Sequence, residues 1–211
     1  MNDEQLIEEM TIHEREFEIL YTNPKIVHAY NVFSDYECGI AIDSMQDANY
    51  IKATAFDIKE KKSKIMSNRS NSLAHDHDAR LRWMQHRISD IFLHPMDRIE
   101  SMQVLRYEKG EEYKPHCDFF NYRGGKHVTE NDRVATALTY LNEDFEGGGT
   151  WFPQLNITIQ PKRGSVLYWE YYASDPLTLH AGLPVESGVK FAATSWIHGR
   201  KITAEEMAKT S

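Results

Sequence analysis

The chain has 211 residues, 41% of them apolar and 27% charged, enough to bury a core and too apolar for wholesale disorder. Its 24 basic and 32 acidic residues give a net charge of -8, which argues against a protein that grips nucleic acid mainly through phosphates. Two cysteines, Cys38 and Cys117, provide no disulfide framework and read as free thiols in a reducing compartment.

The acidic N-terminus, MNDEQLIEEM, lacks the apolar segment of a secretory signal. No apolar run approaches the roughly 20 residues that span a bilayer. The expectation is a cytoplasmic protein of one domain over 1–211, with neither nucleic acid nor membrane as partner.

In chain order, the first half reads as helical with interruptions. Ser34 and Asp35 precede a short helix, YECGIAIDSMQDA, with a plausible N-cap. Residues 57–72 are polar and basic without a clear period, and read as a mobile surface segment ending in a short strand. Asp76 or Asp78 caps a second helix, in which Leu81, Met84, Ile88, Ile91 and Phe92 fall on one stripe. The HDHD run at 75–78 offers four potential metal ligands, but capping of that helix explains it better.

The second half changes character. Short β-branched and aromatic runs cover Met102–Tyr107, Tyr113–Asp118, Val134–Leu141, Thr150–Leu155, Ile157–Gln160, Ser165–Glu170, Leu179–Leu183 and Val189–His198. Gly-, Asn- and Asp-rich turns separate them. Strands at this spacing, with no helix long enough for a crossover, predict a sandwich or jelly roll. The expected fold is mainly β with flanking helices (α+β): residues 1–99 form helices and support strands, and 100–200 form the core.

The chemistry concentrates in YKPHCD, residues 113–118. Alternation along a strand puts His116 and Asp118 on one face and Cys117 on the other. A neutral imidazole beside a carboxylate can chelate a divalent metal, although a solvated strand end carries the same pattern. Further ligands must come from elsewhere, and His180, at the start of a later strand, is the best candidate. Two histidines and one carboxylate, with open positions left over, is the ligand set of non-haem Fe(II) oxygenases. Lys190 lies ten residues after His180, on a strand face shared with Ala192, Thr194, Trp196 and His198. Its ammonium either snorkels to water or stands in a pocket as a fixed cation for a carboxylate.

The runs RYEKGEEYKPHCDFFN, RVATALTYLNEDFEGGGTWFP, PKRGSVLYW and LHAGLPVESGVKFAATSWIH together resemble the prolyl 4-hydroxylase family of Fe(II)/2-oxoglutarate-dependent dioxygenases, over residues 100–200. The resemblance implies a double-stranded β-helix core. It implies His116, Asp118 and His180 as iron ligands, and Lys190, Tyr107 and Thr150 as the residues that bind 2-oxoglutarate. Arg133, Tyr113, Trp196 and His198 match positions near a bound peptide. Arg133 shares its strand face with Ala135 and Ala137, and the expectation is that it points into the open mouth. The loop Phe119–Asp132 is long and polar, as a lid would be.

The implied reaction is C4 hydroxylation of peptidyl proline in a procollagen-type enzyme. It uses Fe(II), 2-oxoglutarate and dioxygen, yields succinate and carbon dioxide, and takes ascorbate as reductant. Two alternatives stay open on the residues. One is a related oxygenase of a free amino acid or small molecule, with Arg133 pairing to a substrate carboxylate. The other is a metal-binding jelly roll without catalysis.

Overall fold

Ser34 and Glu37 close a reciprocal cap at the start of the first helix. The Glu37 N–H donates to Ser34 Oγ at 3.3 Å, and the Ser34 N–H donates to Glu37 Oε2 at 2.9 Å. The computed structural model describes residues 15–46, 48, 50–57, 62–72, 75–119, 122–123, 126–127, 133–171 and 176–203. Its first half holds β1 (Glu16–Thr22), β2 (Lys25–Tyr30), α1 (Asp35–Gln46), β3 (Ile51–Asp57), β4 (Lys62–Ser72) and α2 (His75–Phe92). Then come β5 (Gln103–Tyr107), β6 (Tyr113–His116), β7 (Tyr122–Arg123), β8 (Lys126–His127), β9 (Arg133–Tyr140) and β10 (Glu146–Gly147). The C-terminal part holds β11 (Thr150–Phe152), β12 (Ile157–Ile159), β13 (Val166–Glu170), β14 (His180–Gly182), β15 (Val185–Ser187) and β16 (Lys190–His198).

An eight-stranded sheet runs in the order β1-β2-β13-β9-β16-β5-β4-β3, and a four-stranded sheet in the order β12-β11-β14-β6. Every ladder in both sheets is antiparallel. The architecture is a double-stranded β-helix with α1 and α2 outside it, as expected.

Alternation along β9 divides the core in two. Ala135 and Ala137 pack outward against Cys38, Ala41 and Met45 of α1 and Leu81, Met84 and Ile88 of α2. Leu138 and Tyr140 pack inward, between the sheets, with Phe152, Ile159 and Trp169. The predicted stripe of α2 is this contact: Leu81, Met84 and Ile88 are fully buried, each contributing roughly 1.5–3 kcal/mol. All eight expected strands of the second half are present, some shorter at their ends.

Two expectations for the first half are corrected. Residues 16–30 form a β-hairpin, in which Phe17 faces Ala29 and Ile19 faces Val27. Residues 62–72 form an eleven-residue strand that pairs with β3 on one side and β5 on the other. That strand is held by backbone ladders, which a search for hydrophobic period does not detect. The caps proposed at Asp76 or Asp78 and most of the loop Phe119–Asp132 lie outside the described side chains. Among the described residues, no helix is long and apolar enough to cross a membrane.

Candidate active site

The inter-sheet core opens at one end into a cavity. Its lining includes His116, Asp118 and His180, together with Lys190, Tyr107, Thr150, Tyr113 and Trp196. Eight of the ten expected site residues therefore share one cavity.

Pairing of β6 with β14 sets His180 directly opposite His116. Their ring centroids are 4.3 Å apart. Asp118 follows the end of β6 and turns its carboxylate between the rings. Its Oδ1 is 3.3 Å from His116 Nε2, and its Oδ2 is 3.7 Å from His180 Nε2. One ligand atom from each of the three residues lies within 4.8 Å of the others.

The imidazoles are pre-oriented through their other nitrogens. His116 Nδ1 donates to the Lys114 carbonyl at 2.8 Å, and His180 Nδ1 to the Thr178 carbonyl at 2.9 Å. A carbonyl can only accept, so the proton sits on Nδ1 and the Nε2 lone pair is left for a metal. Burial pushes the His180 pKa down to about 4, against the pull of Asp118, so the ring is neutral at neutral pH. Burial also opposes the charged form of Asp118. The two imidazoles and the Thr136 hydroxyl more than offset it, holding the carboxyl well below its usual range. Two imidazoles and one carboxylate fit a ferrous ion by ligand type and number.

Lys190, at the start of β16, faces Tyr107 of β5 across the ladder. Its Nζ donates to the Gly148 carbonyl at 2.7 Å and lies 5.0 Å from the Tyr107 ring centroid. Only 2% of Lys190 is exposed, so it does not snorkel to solvent. No carboxylate faces it among the described residues, and burial pulls its pKa from 10.5 down to about 7. Gly148 makes room for it. Gly148 has φ +65°, and a Cβ there would sit 3.2 Å from Lys190 Cδ and 2.8 Å from the Phe145 ring. Thr150 Oγ1 hydrogen-bonds the Tyr140 hydroxyl at 2.7 Å. Burial raises Tyr107 well above its ordinary pKa, so its phenol stays a donor. A buried ammonium flanked by a phenol and a hydroxyl suits an organic carboxylate.

Arg133 and His198 sit in an adjoining polar cluster outside this lining. Arg133 donates from Nε and Nη2 to the two Glu100 oxygens, at 2.7 and 2.8 Å. A third bond runs from Nη1 to the Asp118 carbonyl at 3.2 Å. Its guanidinium lies 3.7 Å from the Trp196 ring centroid, and His198 Nε2 bonds Glu100. The expectation that Arg133 shares the face of Ala135 and Ala137 is corrected. A register shift between Ile197 and His198 pairs Arg133 with His198, which turns it to the metal side.

Sequence reasoning missed Glu100, Thr136, Tyr140, Trp169 and Tyr171. Thr136 donates to Asp118 Oδ2 at 2.7 Å, and Tyr171 does so at 3.3 Å. The signal for Thr136 was present: it shares a strand face with Leu138 and Tyr140, and a hydroxyl on an apolar face needs a partner. Glu100 gave a similar signal, as a carboxylate inside the run RIESMQVL. Trp169 lines the cavity with its Nε1 lacking a hydrogen-bond partner among the described residues.

The model of the 2OG-Fe(II) oxygenase superfamily matches residues 102–198. Prolyl 4-hydroxylase 5 of Arabidopsis thaliana is 31% identical over 215 residues, covering 88% of this chain and 72% of its own. The probable prolyl 4-hydroxylase 3 of the same plant is 31% identical over 211 residues, with 86% and 71% covered. Among solved structures, the viral collagen prolyl hydroxylase of Paramecium Bursaria Chlorella virus-1, in complex with 2OG, superposes with a TM-score of 0.64. It is 25% identical, with 83% of this chain and 96% of that one covered.

Proposed function

Since the chain belongs to the prolyl 4-hydroxylase family of 2OG-Fe(II) oxygenases, we propose that it hydroxylates C4 of a prolyl residue within a peptide or protein. The ion is Fe(II) and the cosubstrates are 2-oxoglutarate and dioxygen. When bound, the iron and the keto acid supply the oxidising chemistry, coupling decarboxylation to succinate and carbon dioxide with insertion of one oxygen atom.

The residues of this chain supply binding, orientation and charge. His116, Asp118 and His180 would hold the iron. Lys190 would take the far carboxylate of 2-oxoglutarate, with Tyr107 and Thr150 donating beside it. Tyr113 and Trp196, on the same cavity, would line the peptide groove. Arg133 and His198 would support that groove from behind through Glu100. The observation that carries the reading is the convergence of the three ligand atoms in one cavity with a buried ammonium that has no carboxylate partner there among the described residues.

A peptide substrate is favoured over a small carboxylic acid by the state of Arg133. Its guanidinium is occupied by both Glu100 oxygens and by stacking on Trp196, so Arg133 offers no open cation to a free amino acid. Strands from the first half of the chain flank those of the second half on both edges of the larger sheet, which supports treating 1–211 as a single catalytic domain. Two free thiols support a reducing, cytoplasmic compartment.

The test is 2-oxoglutarate consumption with Fe(II) and ascorbate, in the presence and absence of proline-containing peptides. The expected result is succinate release that rises with peptide and matches 4-hydroxyproline mole for mole. Turnover stimulated only by a free amino acid would replace this reading with the small-molecule one.

A further inference from the structure

The carboxylate of Asp118 carries unequal loads on its two oxygens. Oδ2 accepts hydrogen bonds from Thr136 Oγ1 at 2.7 Å and Tyr171 Oη at 3.3 Å. Two bonds occupy the two lone pairs of that oxygen. Oδ1 has only the His116 ring within reach among the described residues. Thr136 is fully buried and Tyr171 is 5% exposed, so water does not compete for either bond.

The supports are also rigid. Thr136 sits inside β9, where its ladder partners are Trp169 on one side and Trp196 on the other. Tyr171 follows β13 directly, and its N–H donates to the Val134 carbonyl at 2.8 Å. Asp118 itself lies beyond the end of β6, outside any ladder. Its side-chain orientation therefore comes from neighbouring strands of the larger sheet and not from its own backbone.

We propose that Thr136 and Tyr171 are positioning residues that hold Asp118 Oδ2 off the metal, so that Oδ1 alone is the ligand oxygen. This rests on the reading of His116, Asp118 and His180 as the metal ligands. A carboxylate left to itself can close on a cation with both oxygens. Each position taken by the second oxygen is one withdrawn from the cosubstrates, which need open positions on an octahedral ion. The two hydroxyls keep the site three-coordinate on the protein side. Thr136, with the shorter bond, carries more of that task than Tyr171.

Co(II) serves as an air-stable probe of the site, titrated into the whole protein with its visible absorption recorded. Wild type should bind it, and Asp118→Asn should not. Thr136→Val should weaken Co(II) binding about tenfold, in the range for loss of a hydrogen bond to a ligand. It should also lower and shift the visible band as the second oxygen closes on the metal. Tyr171→Phe should move both readouts in the same direction by less. Thr136→Ser, which keeps the hydroxyl, should restore wild-type values. If Thr136→Val does not fold, Tyr171→Phe and Thr136→Ser carry the test.

Wild-type affinity and spectrum in Thr136→Val, or in Tyr171→Phe if that variant carries the test, overturn the proposal. So does Thr136→Ser behaving like Thr136→Val, because that assigns the effect to packing. Equal Co(II) binding by wild type and Asp118→Asn overturns the metal-ligand reading instead, and so separates the two failures.

Discussion

His180 lies directly opposite His116 across the β6–β14 ladder, and Asp118 Oδ1 stands 3.3 Å from His116 Nε2. Strand pairing thus sets the two histidines against each other, and Asp118 joins them from just beyond the end of β6. Removing any of the three side chains should empty the site. His116→Ala, Asp118→Ala and His180→Ala should each reduce iron-dependent 2-oxoglutarate turnover to the background without protein. Anaerobic Fe(II) titration of the same variants checks that the loss is in the metal.

Lys190 governs cosubstrate binding separately from metal binding. Losing a buried ammonium from a carboxylate should cost about 3 kcal/mol, roughly a hundredfold in Kd. Lys190→Met should therefore weaken 2-oxoglutarate by that factor while Co(II) affinity stays as in wild type. An equal loss of both affinities would detach Lys190 from the cosubstrate.

The same lysine sets a pH dependence. Burial leaves its pKa at about 7 in the free protein, so it is largely neutral at pH 8. A bound carboxylate favours the charged form and raises that pKa. Binding of 2-oxoglutarate at pH 8 should therefore take up a proton, and affinity should fall as pH rises above 7. Calorimetry in two buffers of different ionisation enthalpy measures the uptake, which should vanish in Lys190→Met.

His28 predicts an acid sensitivity of the fold. Its Nε2 bonds Ser165 Oγ at 2.8 Å, and burial lowers its pKa from 6.5 to about 4. Between those values the unfolded chain binds the proton that the folded chain refuses. This contribution is therefore intact above pH 6.5 and lost as pH falls to 4. At about 1.4 kcal/mol per unit the loss is roughly 3 kcal/mol. Urea unfolding of wild type and His28→Asn at pH 7.5 and 5 should show a shallower pH dependence in the variant.

The α1 cap provides a stability change remote from the cavity. Glu37 Oε2 accepts from Arg87 Nη1 at 2.7 Å and from the Ser34 N–H, and Arg87 also stacks on Phe33. These interactions hold α1 against α2. Glu37→Ala should cost about 2 kcal/mol, lowering Tm by several degrees, with Co(II) and 2-oxoglutarate affinities unchanged.

The legible part of this molecule is the part that obeys period two. The strand bearing Lys190, the eight β segments after residue 100 and the stripe Leu81, Met84, Ile88 all follow from side-chain alternation or helical spacing. The β4 strand did not, because its pairing with β3 and β5 is a backbone matter. The shared face of Arg133, Ala135 and Ala137 does not hold, since one register shift separates Arg133 from the two alanines and leaves no mark in composition. Thr136 and Tyr171 escaped notice because their roles depend on where Asp118 ends up, and only three-dimensional packing decides that.

The central claim is that this cavity delivers one oxygen atom to a peptidyl proline. Mass spectrometry of a peptide library, incubated with Fe(II), ascorbate and 2-oxoglutarate, tests it most directly. The account predicts a gain of one oxygen atom on proline alone, fragment ions placing it at C4, and no gain with Asp118→Asn. Vigorous 2-oxoglutarate turnover with oxygen carried on another residue type, or on no peptide at all, would contradict it.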